Sequence, residues 1–322
     1  MAGRAGSINN ICYNGKKHAF QYTKQFMDPA LLPVINTFIR EEKLPADYAG
    51  TVEQWFMPVL HDILSRVSAH EGTFVIGVSG SQGSGKSTLA ALLVRLMHAM
   101  LGLRCINLSI DDFYLTHDER QELAAMVHPL LATRGVPGTH DVGLAMDTIN
   151  ALKRKGTVAI PRFDKAVDDR QPHELWPTVQ APLDVIVLEG WCLSVDAQPE
   201  SALAAPVNDL ESSEDSDGAW RRYVNEAIRR DYEALYGLVD YLVMLKAPSF
   251  DMVFEWRQNQ EDKLAAMVGE TGAAGHRIMT PEQLRRFIQH YERVTRHGLA
   301  TLPQKADVVF QLNERQTIDK RL

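Results

Sequence analysis

Cysteine is scarce in this chain: three in 322 residues, Cys12, Cys105 and Cys192, far apart and with no CxxC pair. That excludes a disulfide-stapled scaffold and a cysteine-spaced metal site, and it points to reduced thiols in a cytoplasmic protein. Cations are also short, with 34 Lys and Arg against 41 Asp and Glu and a formal net charge of -7. A protein that grips nucleic acid needs a basic footprint, so nucleic acid is not an expected partner. A small anion is not barred, because a few local cations and backbone amides suffice for it. Long apolar runs are missing too. The most apolar long stretch, Leu89 to Leu103, is interrupted by Arg95 and His98, so no membrane span is expected. The opening MAGRAGSINNICYNGKK holds no signal-like stretch. There is no internal repeat. What is there, 45% apolar and 23% charged residues, is the make-up of a globular chain with a sizeable core.

Residues 1 to about 28 are polar and aperiodic and read as a loose leader. Pro29 to Lys43 and Thr51 to His70 read as amphipathic helices. In the second, Trp55, Val59, Ile63 and Val67 share a face, and Thr51 with Gln54 suggests a capping box. Both helices are expected to cover the core. From Thr73 the pattern alternates. FVIGVSG is a buried parallel strand by its continuous apolar character, and a helix from Lys86 to Leu101 follows, with Gly102 as its C-cap signal. Further strands are expected at 104–110, at TVAIPRF, at LDVIVLEG (183–190), at 239–247 and at 306–312. Helices are expected at 143–155, 219–236, 249–269 and 281–298. Such alternation implies a mostly parallel sheet with helices on both faces. Val195 to Asp217, rich in Pro, Ala, Ser and acid, reads as a solvated surface insertion rather than a functional acidic arm.

Gly80-Ser81-Gln82-Gly83-Ser84-Gly85-Lys86-Ser87, followed by Thr88, matches G-x-x-x-x-G-K-[ST]. Glycines let the backbone wrap a phosphate chain, and successive N–H groups form an anion nest at a helix N-terminus. Lys86 supplies a point charge for the β- and γ-phosphates and Ser87 a hydroxyl for Mg²⁺. The match lies between a strand and a helix, where its mechanism needs it, so nucleotide phosphate binding is the expectation.

The neighbouring strand ends say which kind of phosphate-loop protein this is. Strand 104–110 runs into Asp111, Asp112, Phe113 and Tyr114, in the crevice where α/β sheets bind ligands. A carboxylate there can take the proton of an acceptor hydroxyl, so one of Asp111 and Asp112 is read as a general base. The plainer readings are a cap for the helix near Thr116, or a water-mediated hold on Mg²⁺. Glu189 closes LDVIVLEG as a Walker B acid would, oriented toward Mg²⁺. Three further clusters suit anions. One is the loop Arg134-Gly-Val-Pro-Gly-Thr-His140-Asp141, and another is 161–170 with Arg162 and Lys165. The third is Trp256-Arg257-Gln-Asn-Gln-Glu, in which Arg257 could close over a transferring phosphoryl group. Against these stand simpler roles: Asp141 as N-cap of helix 143–155, the charges of 162–170 as weak surface pairs, and Arg257 as a solvated helix residue.

GSQGSGKST, SIDDFYLT, RGVPGTHD, PRFDKAVDDR, LEGWC and WRQNQE, in this order, resemble the D-glycerate 3-kinase family. That family is a branch of the phosphoribulokinase/uridine kinase-like P-loop kinases. The likeness runs from about Leu44 to the C-terminal VVFQLNER. It implies an α/β, P-loop NTPase-like fold and Mg²⁺-dependent transfer from ATP to D-glycerate, giving 3-phosphoglycerate. It implies Asp111 as base beside Asp112, and Glu189 as the Walker B acid. Lys86, Asp111, Glu189 and Arg257 are the expected catalytic set, and Ser87 with Glu189 the metal set. The acceptor is itself an anion, so Asp112, Tyr114, Arg134, His140, Asp141, Arg162 and Lys165 form the expected acceptor site, its cations unranked. The lid departs from uridine kinases, with Arg257, Gln258 and Gln260 where those often carry several arginines. Rival readings are a kinase of pantothenate, a nucleoside or a sugar acid, and an ATP-binding regulator without turnover. The expected layout is a leader and helical cover over 1–70 and a kinase domain over 71–322, with the insertion at 195–217 and a lid at 249–270.

Overall fold

The structure is a computed structural model, and it describes residues 9–13, 16–20, 28–271 and 279–322. Within the segment expected to lack order, β1 (Asn9–Tyr13) and β2 (Lys16–Phe20) pair as an antiparallel hairpin. The helical cover follows as α1 (Leu32–Glu41), α2 (Tyr48–Thr51) and α3 (Met57–Ala69). A π-turn over Val52–Phe56 joins α2 to α3. The helix therefore starts before Thr51, which has helical angles and makes no side-chain cap, so the expected Thr51–Gln54 box does not form. Ile35, Phe38, Leu60, Ile63 and Val67 bury their side chains against the sheet and the next helix.

The α/β core begins at β3 (Phe74–Gly80), every residue of which is buried. It is followed by α4 (Lys86–Leu101), ended by Gly102 at φ 65, and by β4 (Cys105–Ser109). Next come α5 (His117–Met126) and α6 (Val142–Leu152). Four short strands then form two small antiparallel pairs: β5 (Gly156–Ala159) with β8 (Thr178–Ala181), and β6 (Phe163–Asp164) with β7 (Asp169–Arg170). The TVAIPRF strand thus leaves the main sheet. Its paired residues 156–159 are exposed or half-buried, without the continuous apolar character of a strand covered on both faces. The remaining elements are β9 (Val185–Gly190), α7 (Asp209–Glu214), α8 (Ala219–Ala227) and α9 (Glu233–Tyr236). After them come β10 (Tyr241–Lys246), α10 (Phe250–Thr271), α11 (Pro281–Thr301), β11 (Val308–Leu312) and β12 (Ile318–Arg321).

Among the described residues the central sheet has six strands in the order β12-β11-β10-β3-β9-β4, parallel except for the antiparallel edge strand β12. Successive residues point to opposite faces. On β3, Ile76 and Val78 face the layer of α1, α3, α4 and α10, while Val75 faces that of α6, α8 and α11. On β9, Val187 goes to the first layer and Ile186 and Leu188 to the second.

The 195–217 insertion is largely exposed, as expected, but it is anchored to the core at a few residues. Leu203 and Leu210 are buried, and Glu211 and Asp215 have no exposed surface. Arg293 of α11 meets Glu211 through two bonds of 2.7 and 2.6 Å, and also donates to the carbonyls of Ala202 and Ala205. Asp215 accepts from the Trp220 amide and from Arg221. Buried acids need such partners, because an unpaired charge out of water costs several kcal/mol.

Candidate active site

Strand register assembles the site. Val78 of β3 and Ser109 of β4 both pair with Glu189 of β9, so the C-terminal ends of these strands lie side by side. The phosphate loop leaves the first, the acidic turn the second, and Glu189 ends the third. At Gly80 a Cβ would sit 2.5 Å from Ser84 Oγ and 3.2 Å from the Leu245 carbonyl oxygen, so only glycine fits. Gly83 and Gly85 hold φ of 78 and 87, the left-handed region that opens the loop onto the N-terminus of α4. Ser81 Oγ, Gln82 Oε1 and Ser84 Oγ of the loop are buried with no hydrogen-bond partner among the described residues.

Ser87 Oγ donates to Glu189 Oε1 at 2.8 Å, and Lys86 Nζ lies 4.0 Å from Glu189 Oε2. Glu189 is only 4% exposed, and among the described residues its Oε2 accepts no hydrogen bond. A buried carboxylate with a spare oxygen beside a hydroxyl is a hard, all-oxygen donor pair. It suits Mg²⁺, which takes one or two protein oxygens and completes its shell with phosphates and water.

Asp111 lies on the 3₁₀ turn Ile110–Phe113 that continues β4, held there by its amide's bond to Ser109 Oγ. Its Oδ1 accepts from the Tyr114 hydroxyl at 2.9 Å and its Oδ2 from Lys165 Nζ at 2.6 Å. Burial pushes this carboxyl up, but the charges of Lys165 and Lys86 and the bond from Lys165 outweigh it and bring it down to about 2. Asp112 points elsewhere. It accepts from Arg162 at 2.9 Å and from the Phe163 amide at 3.3 Å, and burial raises its pKa.

A cleft of about 470 Å³ opens over these groups. Gln82, Gly83, Gly85, Lys86, Ser87 and Thr88 form one wall. Asp111, Tyr114, Arg134, Lys165 and Arg257 also line the cleft. Arg257 arrives on α10, whose Val253 and Trp256 are buried in the core just before it. Arg134 pairs with Asp168 and lies over the Phe163 ring. Asp112, His140, Asp141 and Arg162 do not line the cleft; they build its frame. Asp141 caps α6 through the Leu144 amide and pairs with Arg170. His140 is buried, stacks on Tyr114 at 4.4 Å, and has Nδ1 2.6 Å from the Tyr232 hydroxyl. That hydroxyl also accepts from the Gly138 amide at 3.0 Å. Burial pulls His140 down to about 4, against the upward pull of Asp111, so the ring is neutral.

The chain resembles an uncharacterized kinase, mug58, of Schizosaccharomyces pombe, at 32% identity over 72% of this chain and 83% of that one. The pattern of the phosphoribulokinase/uridine kinase family matches residues 75–210. The chain belongs to that family. A chloroplastic D-glycerate 3-kinase of Arabidopsis thaliana is 29% identical over 82% of this chain, which spans 58% of the plant protein. Among solved structures, a D-glycerate 3-kinase of Cryptococcus neoformans superposes with a TM-score of 0.66 at 25% identity, over 83% of this chain and 98% of that one.

For a kinase of this family, sequence reasoning missed part of the cleft. Trp191, Phe287 and Tyr291 also line it. Trp191 donates to the Gly135 carbonyl at 3.1 Å and meets Tyr291 edge-on at 4.9 Å. Tyr291 closes against Gly135, where a Cβ would lie 2.2 Å from its hydroxyl. Phe287 and Tyr291 stand four apart on α11, a spacing that reads as a core stripe; nothing local marks them as cleft residues. Asp168, which holds Arg134, was hidden among the charges of 162–170. Its φ of 59 marks a strained turn that no sequence pattern announces.

Proposed function

We propose that this kinase phosphorylates D-glycerate at the 3-hydroxyl, with Mg²⁺-ATP as donor. The observation that carries the reading is the joint setting of Asp111. It lines one cleft together with the phosphate-loop Lys86 and the cations Lys165 and Arg134, and accepts from Lys165. A base, a phosphate cradle and a counter-charge for an acid acceptor are then within one small volume. The likeness to two D-glycerate 3-kinases supports the choice of acid.

In this reading the amides of Gly83 to Thr88 and Lys86 hold the ATP phosphates at the N-terminus of α4. Ser87 and Glu189 would hold Mg²⁺, directly or through water, and the ion would spread the charge of the β- and γ-phosphates. Asp111 receives the proton of the acceptor hydroxyl as its oxygen bonds to the γ-phosphorus. Arg257 closes on the transferring group from α10. Arg134 and Lys165 face the acceptor's carboxylate; the neutral His140 and the Asp112-bound Arg162 keep the loops in place. A cytoplasmic setting goes with this reading, since Cys105 and Cys192 are free thiols.

ADP release measured with D-glycerate, L-glycerate, pantothenate and uridine tests it. D-glycerate turnover well above the rest is the expected result. Nucleoside-only turnover sinks the glycerate assignment, and no acceptor-dependent turnover at all favours an ATP-binding regulator.

A further inference from the structure

Both oxygens of Asp111 are occupied, one by Tyr114 and one by Lys165. A carboxylate held this way is a weak proton acceptor, so a partner has to leave before Asp111 can serve as base. Tyr114 is fixed: it is buried and stacked on His140. Lys165 is not. Its side chain is 58% exposed, at the turn between β6 and β7, on a flexible four-carbon stem. The turn that carries it is pinned from below. Arg120, with no exposed surface, donates to the Asp168 carbonyl at 2.6 Å and to its carboxylate, and also to the carbonyls of Leu115 and Ala132. Lys165 can therefore change partner by moving its side chain alone.

Of the other described cations around the acceptor corner, Arg257 reaches the cleft from α10. Arg134 pairs with Asp168 and Arg162 with Asp112, while Lys86 faces Glu189 from the phosphate loop. His140, Cys192 and Tyr291 also face Asp111, and burial keeps each of them uncharged.

We propose that Lys165 is a latch on Asp111 that a short hydroxy acid opens: the acid's carboxylate replaces Asp111 as the partner of Lys165 while its hydroxyl takes the freed carboxylate oxygen. This rests on the reading above that Asp111 is the base. The transfer balances as follows. The acceptor oxygen bonds to the γ-phosphorus, the bond from that phosphorus to the ADP oxygen breaks, and the hydroxyl proton passes to Asp111. Without an acid, Lys165 stays on Asp111 and water is not activated, which suppresses idle ATP hydrolysis. The device also sets acceptor length. Lys165 Nζ and Asp111 Oδ2 are 2.6 Å apart before exchange, so carboxylate and hydroxyl must converge on one corner. A three-carbon hydroxy acid does this. Pantothenate, with its phosphorylated hydroxyl and its carboxylate at opposite ends, does not.

The test is Lys165→Gln in the full-length enzyme, read first as ADP release with Mg²⁺-ATP and no acceptor. The latch predicts a rise of about tenfold or more over wild type, abolished by adding Asp111→Asn. With D-glycerate, KM rises about 10- to 100-fold, as for loss of one charge-assisted bond, and kcat changes much less. Lys165→Arg restores both readouts. An unchanged acceptor-free rate overturns the latch even if KM rises, because Lys165 would then only bind the carboxylate. If wild type uses no acid at all, the glycerate reading fails, yet the acceptor-free rates of the two variants still decide for or against the latch.

Discussion

Asp111→Asn is the sharpest single perturbation of this site. The replacement keeps the side chain's shape, so its Oδ1 can still accept from the Tyr114 hydroxyl. What it loses is the capacity to hold a proton and the ion pair with Lys165. A positioned general base contributes about 10²- to 10⁴-fold, or roughly 2.7–5.4 kcal/mol of barrier, and kcat should fall by that factor. ATP affinity should change by less than about threefold, because the phosphate cradle is built from loop amides, Lys86 and Ser87 and Asp111 is no part of it. The assay is saturating-substrate ADP release together with ATP titration calorimetry. Asp112→Asn is the control. Asp112 holds Arg162 and the Phe163 amide, so its loss should loosen the acceptor loop and raise KM more than it lowers kcat. A kcat for Asp111→Asn within about fivefold of wild type would refute the base assignment. So would loss of turnover confined to Asp112→Asn, which moves the base to the neighbour.

Glu189→Gln weakens the carboxylate beside Ser87, and the Mg²⁺ concentration for half-maximal rate should rise about 10- to 100-fold; an unchanged Mg²⁺ titration contradicts the metal role. Arg293→Met leaves Glu211 buried and unpaired, at a cost of about 3–5 kcal/mol and a fall in Tm of roughly 6–15 °C. Adding Glu211→Leu should recover most of that loss, and a single variant that melts within about 2 °C of wild type means the insertion is not anchored there. Asp111, lowered from 3.8 to about 2 in the folded chain, stabilises it fully above its ordinary value. That contribution, about 2 kcal/mol, is lost as pH falls from about 4 toward 2, so Asp111→Asn should flatten the acid limb of wild-type stability. Parallel Tm–pH curves for the two proteins would contradict the ion pair.

Where chemistry constrains the backbone locally, the residues alone were legible. The phosphate loop dictates a strand before it and a helix after it, and α4 runs from Lys86 to Leu101 as read, with Gly102 ending it. Asp111 and Glu189 were visible because an acid closing an apolar strand has few structural uses. What escaped notice depends on partners far along the chain. Glu211 looked solvated because Arg293 lies 82 residues on, and Lys165 could not be ranked above Arg162 until Asp112 and Asp111 were seen to divide them. The strand β12, sequence IDKR, is a short charged edge with no apolar pattern to reveal it. TVAIPRF has a strand's composition, but only the partner strand 178–181 shows that it sits outside the main sheet. Trp191 and Tyr291 drew no reading as site residues, since an aromatic that lines a cleft from a buried face carries no mark of its own.

The central claim is phosphoryl transfer to D-glycerate under the control of Asp111. Phosphorus NMR of the product made from Mg²⁺-ATP and D-glycerate tests it directly. A single new phosphomonoester at the 3-position, absent with Asp111→Asn, is the predicted spectrum. A 2-phosphate, or a product formed equally well by the Asn variant, contradicts the account.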